Sequence, residues 1–286
     1  MIQVNRIYLI FNRLVTKKFL VDTSDFYGFV CDGVYKDLED LQTSPKPAKY
    51  PANGVFDRTN TVWVGDVKYK DISGPDGVPD GVIDDYDKTN IGSPMPKFTF
   101  GWTNTFRYKN FDLSVFINGS YGNKVYNYLS MKLTHMNSPW TNQLNAVNGR
   151  AQLVPINPNK VYEDGTMWYN DVSNVMVANP GASIPRATIN DPNDNDRISD
   201  RYIEDGSYIR LKNISLGYTF PKKTIDKLGL SNLRIYANIQ NLLTITGYDG
   251  YDPEIGASTS SVNVYGLDNG RYPSPTVYSF GLNVSF

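Results

Sequence analysis

The stretch of this 286-residue chain most suggestive of chemistry is an acidic, glycine-rich segment that begins at Asp76 and reads D-G-V-P-D-G-V-I-D-D-Y-D. Its carboxylates resemble in spacing the oxygen ligands of the calcium loop of an EF-hand. The candidate metal ligands are Asp76, Asp80, Asp84 and Asp87. Val78 replaces one usual ligand of such a loop, and Asp87 replaces its bidentate glutamate. Two interpretations therefore stay open, a calcium site or a solvated turn.

Other reactive residues are too few to support catalysis. The chain has one histidine, His135, which we interpret as a loop residue, and one cysteine, Cys31, so zinc sites and internal disulfides are not expected. The adjacent carboxylates at 84–85 and 204–205 have no evident pocket or partner of the kind glycosidases use. No phosphate-binding or dinucleotide motif occurs. We predict no catalytic residues, and no cofactor other than the calcium considered above.

Composition narrows the protein class. A formal net charge of -1 gives no basic surface for nucleic acid, so no nucleic-acid partner is expected. The mean hydropathy of -0.40 and the lack of a long apolar run exclude a helical membrane protein. Membrane-spanning strands escape such scales, because half of each strand is polar. The 21 tyrosines, 13 phenylalanines and 4 tryptophans suit aromatic girdles or a glycan-binding surface.

Five stretches show the alternation of β-strands, with large apolar residues on one parity and small or polar residues on the other. They lie at 97–108, 111–121, 208–220, 233–240 and 277–286. Lys109-Asn110 predicts a two-residue hairpin, and a change of parity predicts a bulge near Lys212-Asn213. All charged residues within these stretches fall on the polar parity. The pattern predicts an all-β protein whose sheet has one apolar face.

The connections between the predicted strands alternate in length. They are short at 109–110 and 221–231 and long at 122–201 and 247–275. Outer-membrane barrels combine short periplasmic turns with long external loops, and antiparallel strands of about ten residues span the bilayer. We therefore favour transmembrane β-strands whose apolar face meets outer-membrane lipid. The alternative is a secreted, soluble all-β module that binds glycans through its aromatic residues.

Several segments, in this order, resemble the SusC/RagA-like, TonB-linked outer-membrane transporters of Bacteroidota. The matching segments are Gly65–Asp71, Ile91–Phe98, Glu204–Asn213, Asn241–Thr244, Tyr251–Glu254 and the terminal Phe286. The resemblance implies a barrel of about 22 strands with an amino-terminal plug. It also implies uptake of oligosaccharides or peptides, a SusD-like surface lipoprotein as partner, and energy from the TonB complex.

Within this resemblance, the long loops are expected to face substrate or the lipoprotein. The candidate contact residues are Tyr251, Asp252, Glu254, Trp140 and Trp168. Each has a simpler interpretation, since an Asp-Pro sequence is typical of turns and the tryptophans can pack within their own loop.

The resemblance divides the chain into a weakly patterned segment, 1–60, and a carboxy-terminal barrel portion, 61–286. Long outer loops are expected at about 71–96, 122–201 and 247–275. The first 20 residues lack the pattern of a signal peptide. We therefore expect an integral outer-membrane fragment, or the product of a truncated or split reading frame, that does not transport alone.

Overall fold

The computed structural model describes the backbone of residues 2–3 and 7–11, and residues 25–255 and 265–286 in full. The strands are β1 Ile2–Gln3, β2 Ile7–Phe11, β3 Phe26–Gly28, β4 Cys31–Val34, β5 Lys46–Pro47, β6 Val67–Tyr69, β7 Val82–Ile83, β8 Thr89–Gly92, β9 Phe98–Tyr108, β10 Phe111–Tyr121, β11 Lys124–Asn127, β12 Leu153–Pro155, β13 Val175–Val177, β14 Ile203–Asp205, β15 Tyr208–Thr219, β16 Asn232–Thr246, β17 Leu267–Asp268 and β18 Val277–Ser285. The α-helices are α1 Leu38–Thr43, α2 Tyr128–Thr134 and α3 Lys222–Ile225. The 3-10 helices are Asp85–Asp87, Asn145–Gly149, Trp168–Asn170, Val172–Asn174, Asp200–Tyr202 and Asp226–Leu228. Strands hold 38% of the residues and helices 15%, which confirms the all-β class.

The chain folds into two compact units. The first, here called the sheet unit, comprises Met1–Ser24, Ser93–Val125 and Glu204–Phe286. The second, the connection unit, comprises Asp25–Gly92 and Tyr126–Ile203. Residue 60, where the sequence suggested a boundary, lies inside the connection unit. Most of the two long connections expected at 71–96 and 122–201 also belongs to it.

The sheet unit is built on a seven-stranded antiparallel sheet. Its order is β1-β9-β10-β15-β16-β18, and β2 also pairs with β9. The predicted hairpin at 109–110 is present, with Tyr108 opposite Phe111 and with Lys109 at φ 53°. The register shift between Leu211 and Asn213 confirms the predicted bulge. A bulge is needed because the apolar parity changes within β15.

The register aligns apolar side chains in rows across one face of this sheet. Three rows that cross β9, β10, β15, β16 and β18 are Tyr108–Phe111–Tyr218–Ile235–Leu282, Phe106–Leu113–Leu216–Ala237–Phe280 and Asn104–Val115–Ile214–Ile239–Tyr278. Asn104, which is buried, is the one polar residue in these three rows. Large side chains on this apolar face are strongly exposed, with Phe280 at 84% and Leu282 at 61%. The apolar face of β18 is therefore a surface and not a core.

The connection unit, in contrast, has a closed hydrophobic core. Turns and short strands, among them the β4–β6 and β12–β13 pairs, surround it. The core residues are Val34, Tyr35, Leu41, Val62, Trp63, Val64, Ala151, Val175, Val177 and Ala182. Trp63 and Val175 are fully buried although they are far apart in the sequence. Burial of such side chains contributes roughly 1.5–3 kcal/mol each, so this core supplies much of the unit's stability.

A buried polar network lies beside this core. Asp66, which is fully buried, accepts hydrogen bonds from Arg186 Nε at 2.7 Å and from the backbone N–H of Trp63 at 2.8 Å. The amide group of Asn195 donates to the same carboxylate and accepts from the backbone N–H of Val67 at 2.7 Å. The network ties residues 63–67 to residues 186–195, so it fixes loops that lack regular secondary structure.

Candidate functional site

The polar face of the sheet carries all the charged side chains of the five long strands. One row on this face is Thr105–Ser114–Ser215–Asn238–Ser279. Asp112 accepts hydrogen bonds from Arg234 Nε at 3.1 Å and Nη2 at 2.6 Å, across the intervening strand β15. Both side chains lie over Gly217, where a Cβ atom would collide with them. The glycine therefore permits this two-pronged ion pair, in which the guanidinium matches the carboxylate geometry.

A second ionic cluster lies on β15 near its first residues. The guanidinium of Arg210, which is almost fully buried, binds the carboxylate of Asp252, donates to Glu254 Oε2 at 2.7 Å and donates to Thr244 Oγ1 at 2.8 Å. Lys212 Nζ contacts the same Oε2 atom at 2.7 Å. This cluster fastens residues 252–254, here called the strap, to the sheet of the same unit.

The strap is held by backbone contacts as well. Asp252 Oδ1 accepts from the N–H of Glu254 at 2.9 Å, and Oδ2 accepts from the N–H of Ser274 at 3.0 Å. Burial raises the pKa of Asp252, but these backbone donors and the Arg210 guanidinium outweigh burial and hold the pKa below its usual range. Asp252 is therefore ionised at neutral pH.

The candidate loop residues fall in different environments. Asp252 and Glu254 lie in the ionic cluster, while the neighbouring Tyr251 is 64% exposed. Trp140 is 93% exposed and free to meet another molecule. Trp168 packs against the core of the connection unit and contacts Tyr169 edge-on, as the simpler interpretation expected. Their roles toward a ligand stay predictions.

The acidic segment at 76–87 folds as a series of turns. Asp87 is buried and accepts from the N–H of Ile72 at 2.7 Å and of Asp84 at 2.9 Å. Asp84 caps the 3-10 helix at 85–87, and Asp80 accepts from the backbone of Val82. These carboxylates bind separate backbone donors, and the structure does not gather the four into one cluster. Calcium binding here stays a prediction.

A cluster around His135 was not expected from the residue pattern. Among the described residues, one set of at least three histidine, cysteine or acidic side chains is close enough to share an ion: His135, Asp191 and Asp196. The two ring nitrogens lie 2.7 Å from Asp191 and 3.2 Å from Asp196. Burial lowers the pKa of His135, but the two carboxylates outweigh it and raise the pKa to about 9. With both nitrogens facing carboxylates, the ring is a doubly protonated cation.

Sequence comparison identifies relatives of this chain. No protein-family model matches it. It is 32% identical to TonB-dependent receptor P3 of Formosa agariphila over 266 residues, which are 91% of this chain and 22% of that receptor. It is 29% identical to TonB-dependent receptor SusC of Bacteroides thetaiotaomicron, over 72% of this chain and 17% of SusC. The chain thus spans about a fifth of the length of these relatives.

Comparison with solved structures identifies proteins that share the fold of this chain. The structure of the RagAB peptide transporter matches 92% of this chain and 23% of its own chain, with 18% identity and a TM-score of 0.56. The open-open state of the RagAB peptide importer matches 100% of this chain and 27% of its own, with 17% identity and a TM-score of 0.57. Within the described part of the chain, none of the helices has the length and apolarity needed to cross a bilayer. The ordered motifs, the sequence relatives and the shared fold together place this chain in the SusC/RagA-like family of TonB-linked outer-membrane transporters.

Proposed function

We propose that this chain forms the carboxy-terminal wall sector, residues 61–286, of an outer-membrane receptor that imports oligosaccharides or peptides. The observation that carries the proposal is the two-faced sheet. Its apolar face exposes Phe280, Leu282 and other large side chains, while Asp112, Arg210 and Arg234 lie on the opposite face. A lysine or arginine that faces mid-bilayer costs roughly 2–4 kcal/mol, so a lipid-facing surface excludes such residues.

The alternative, a soluble glycan-binding module, would need its apolar face covered by a second layer. The exposure of Phe280 and Leu282 favours the membrane interpretation instead. The edges of the sheet also matter, because an unpaired strand edge is not tolerated in hydrocarbon. In the described part of the sheet, β18 pairs on one side only, with β16. We infer that the sector functions within a larger barrel.

The proposed partners follow from the family. A SusD-like surface lipoprotein would close over the external loops, and the TonB complex would supply energy for import. The connection unit, through residues such as Trp140, and the strap with its neighbour Tyr251 would then contact substrate or lipoprotein. Calcium at the acidic turns of residues 76–87 stays part of the proposal as a structural ion.

An uptake experiment tests the proposal. Cells that produce the protein, and cells in which its gene is deleted, are given fluorescent maltoheptaose or a mixture of fluorescent peptides. We expect uptake of one class to depend on the gene and to stop when a protonophore removes the energy that TonB uses. Equal uptake by the two strains for both classes would contradict the proposed import function.

A further inference from the structure

An open cleft of about 570 Å³ lies next to the strap. Its lining includes Lys212, Asp252, Glu254, Arg271 and Tyr272. Tyr272 is 84% exposed, so its ring is available to a ligand. The volume lies within the range of about 300–1,000 Å³ that is typical of small-molecule sites.

The charges around this cleft are unbalanced toward the positive. The lining carries two cations, Lys212 and Arg271, and two carboxylates, Asp252 and Glu254. The buried Arg210, which binds both carboxylates from behind, adds a third cation. Arg210 is the most buried of the three, since its side chain is 3% exposed, and it binds both carboxylates of the strap. Its planar guanidinium offers paired donors that fit a carboxylate.

We propose that this cleft recognises a substrate carboxylate, and that the carboxylates of Asp252 and Glu254 occupy Arg210 and Lys212 until a substrate displaces them. This inference rests on the proposed import function and specifies the chemical class of its substrate. The ligand is an oligomer with an ionised carboxylate, either the carboxy terminus of a peptide or the uronate of an acidic oligosaccharide.

The two strap carboxylates differ in how firmly they are held. Asp252 is mostly buried and has two additional backbone donors, whereas Glu254 is 35% exposed and shares one oxygen between Arg210 and Lys212. Glu254 is thus the easier group to replace. Because the strap is part of the same chain, its effective concentration is high and a free ligand has to compete with it. The site is therefore weak until the strap leaves.

Binding to outer-membrane vesicles from cells that produce the protein tests the proposal. The probes are trialanine with its amide, and trigalacturonate with its methyl ester. In the E254Q variant, we expect one of the two acids to bind at least about tenfold more tightly than its neutral form, and more tightly than it binds the unaltered protein. The acid that gains affinity identifies the source of the carboxylate. No preference for either acid would overturn the proposal.

A labelling experiment on protein that retains Glu254 complements this test. Pro253 is buried, so a cysteine placed there by Pro253→Cys, in a Cys31→Ser background, is protected while the strap is bound. Addition of the preferred acid should speed maleimide labelling about tenfold, whereas the exposed control Tyr251→Cys should not change. An unchanged labelling rate at residue 253 would overturn the proposal that a substrate carboxylate displaces the strap. If gene-dependent uptake persists despite that result, the import function stands and the carboxylate site alone fails.

Discussion

The two units of this protein use apolar residues in opposite ways. The connection unit closes its large side chains into a core around Trp63, which is fully buried. The sheet unit turns Phe280 and its neighbours outward and keeps ion pairs such as Arg234–Asp112 on the other face. The connection unit is therefore stabilised by the burial of apolar side chains and by internal hydrogen bonds and ion pairs. The sheet unit depends on strand pairing and on a solvent that accepts its apolar face.

The largest expected effect comes from the buried ion pair of the connection unit. Asp66→Asn removes the charge that Arg186 needs and leaves a buried, unpaired guanidinium. Loss of one partner of such a pair costs about 3–5 kcal/mol. Hydrogen exchange of the backbone N–H of Val67, measured by mass spectrometry, should accelerate accordingly.

The matched control is Lys160→Met, which breaks the exposed pair between Lys160 and Asp171 in the same unit. Exposed pairs contribute little, because water screens them. Exchange at Val67 should stay close to that of the unaltered protein. If the two substitutions have equal effects, the polar network around Asp66 is not what stabilises this unit.

The next prediction tests whether lipid contacts the apolar face. Ile214 lies on that face midway along β15, and Ser215 lies beside it on the polar face. A lysine at 214 should destabilise the assembled sheet by roughly 2–4 kcal/mol if this position lies near mid-bilayer. Ser215→Lys should be tolerated. The amount of folded protein in outer-membrane extracts, measured by its heat-dependent gel mobility, distinguishes the two.

Close packing on the polar face predicts a smaller effect. The ring of Tyr236 lies over Gly281, so a side chain at 281 would collide with it. We expect Gly281→Val to cost about 1–3 kcal/mol through displacement of β16 from β18. Gly247→Ala, at an open position in the same unit, is the control. The midpoint of urea unfolding in detergent micelles provides the measurement.

The last effect is a pH dependence confined to the connection unit. His135 has a folded pKa of about 9, raised above its ordinary value of 6.5, so it binds its proton more tightly in the folded state. The stabilisation is therefore complete below about pH 6.5 and is lost as the pH rises through about 9. The protection factors of residues 186–196, which are exchange rates corrected for the base-catalysed rate of an unfolded chain, should fall across this window, and His135→Gln should abolish the fall. Protection factors that do not change with pH in the unaltered protein would rule out the charged cluster.

These contrasts explain which features the sequence could predict. The strand parity, the turn at 109–110 and the bulge at 212–213 depend on residues close in sequence, and all three are present. The apolar face of the sheet could be predicted as well, because apolar residues alternate with polar ones along each strand. The short connection expected at 221–231 is present as well, and it is helical from Lys222 to Leu228.

The connection unit could not be predicted in this way. Asp66 and Arg186 are 120 residues apart, and nothing in the alternation of apolar residues brings them together. His135 meets Asp191 across 56 residues for the same reason. The strap is an intermediate case, since Asp252 and Glu254 stood out as candidates but their partners, Arg210 and Lys212, were assigned only to the polar face.

Cysteine scanning of β18 tests the central interpretation most directly. In a Cys31→Ser background, single cysteines are placed at Tyr278, Ser279, Phe280, Leu282 and Asn283, and each is labelled with a fluorophore in outer-membrane vesicles. Nitroxides dissolved in the acyl chains should quench labels at 278, 280 and 282 strongly and those at 279 and 283 weakly. Equal quenching at all five positions, or the reverse alternation, would contradict a sheet whose apolar face meets lipid.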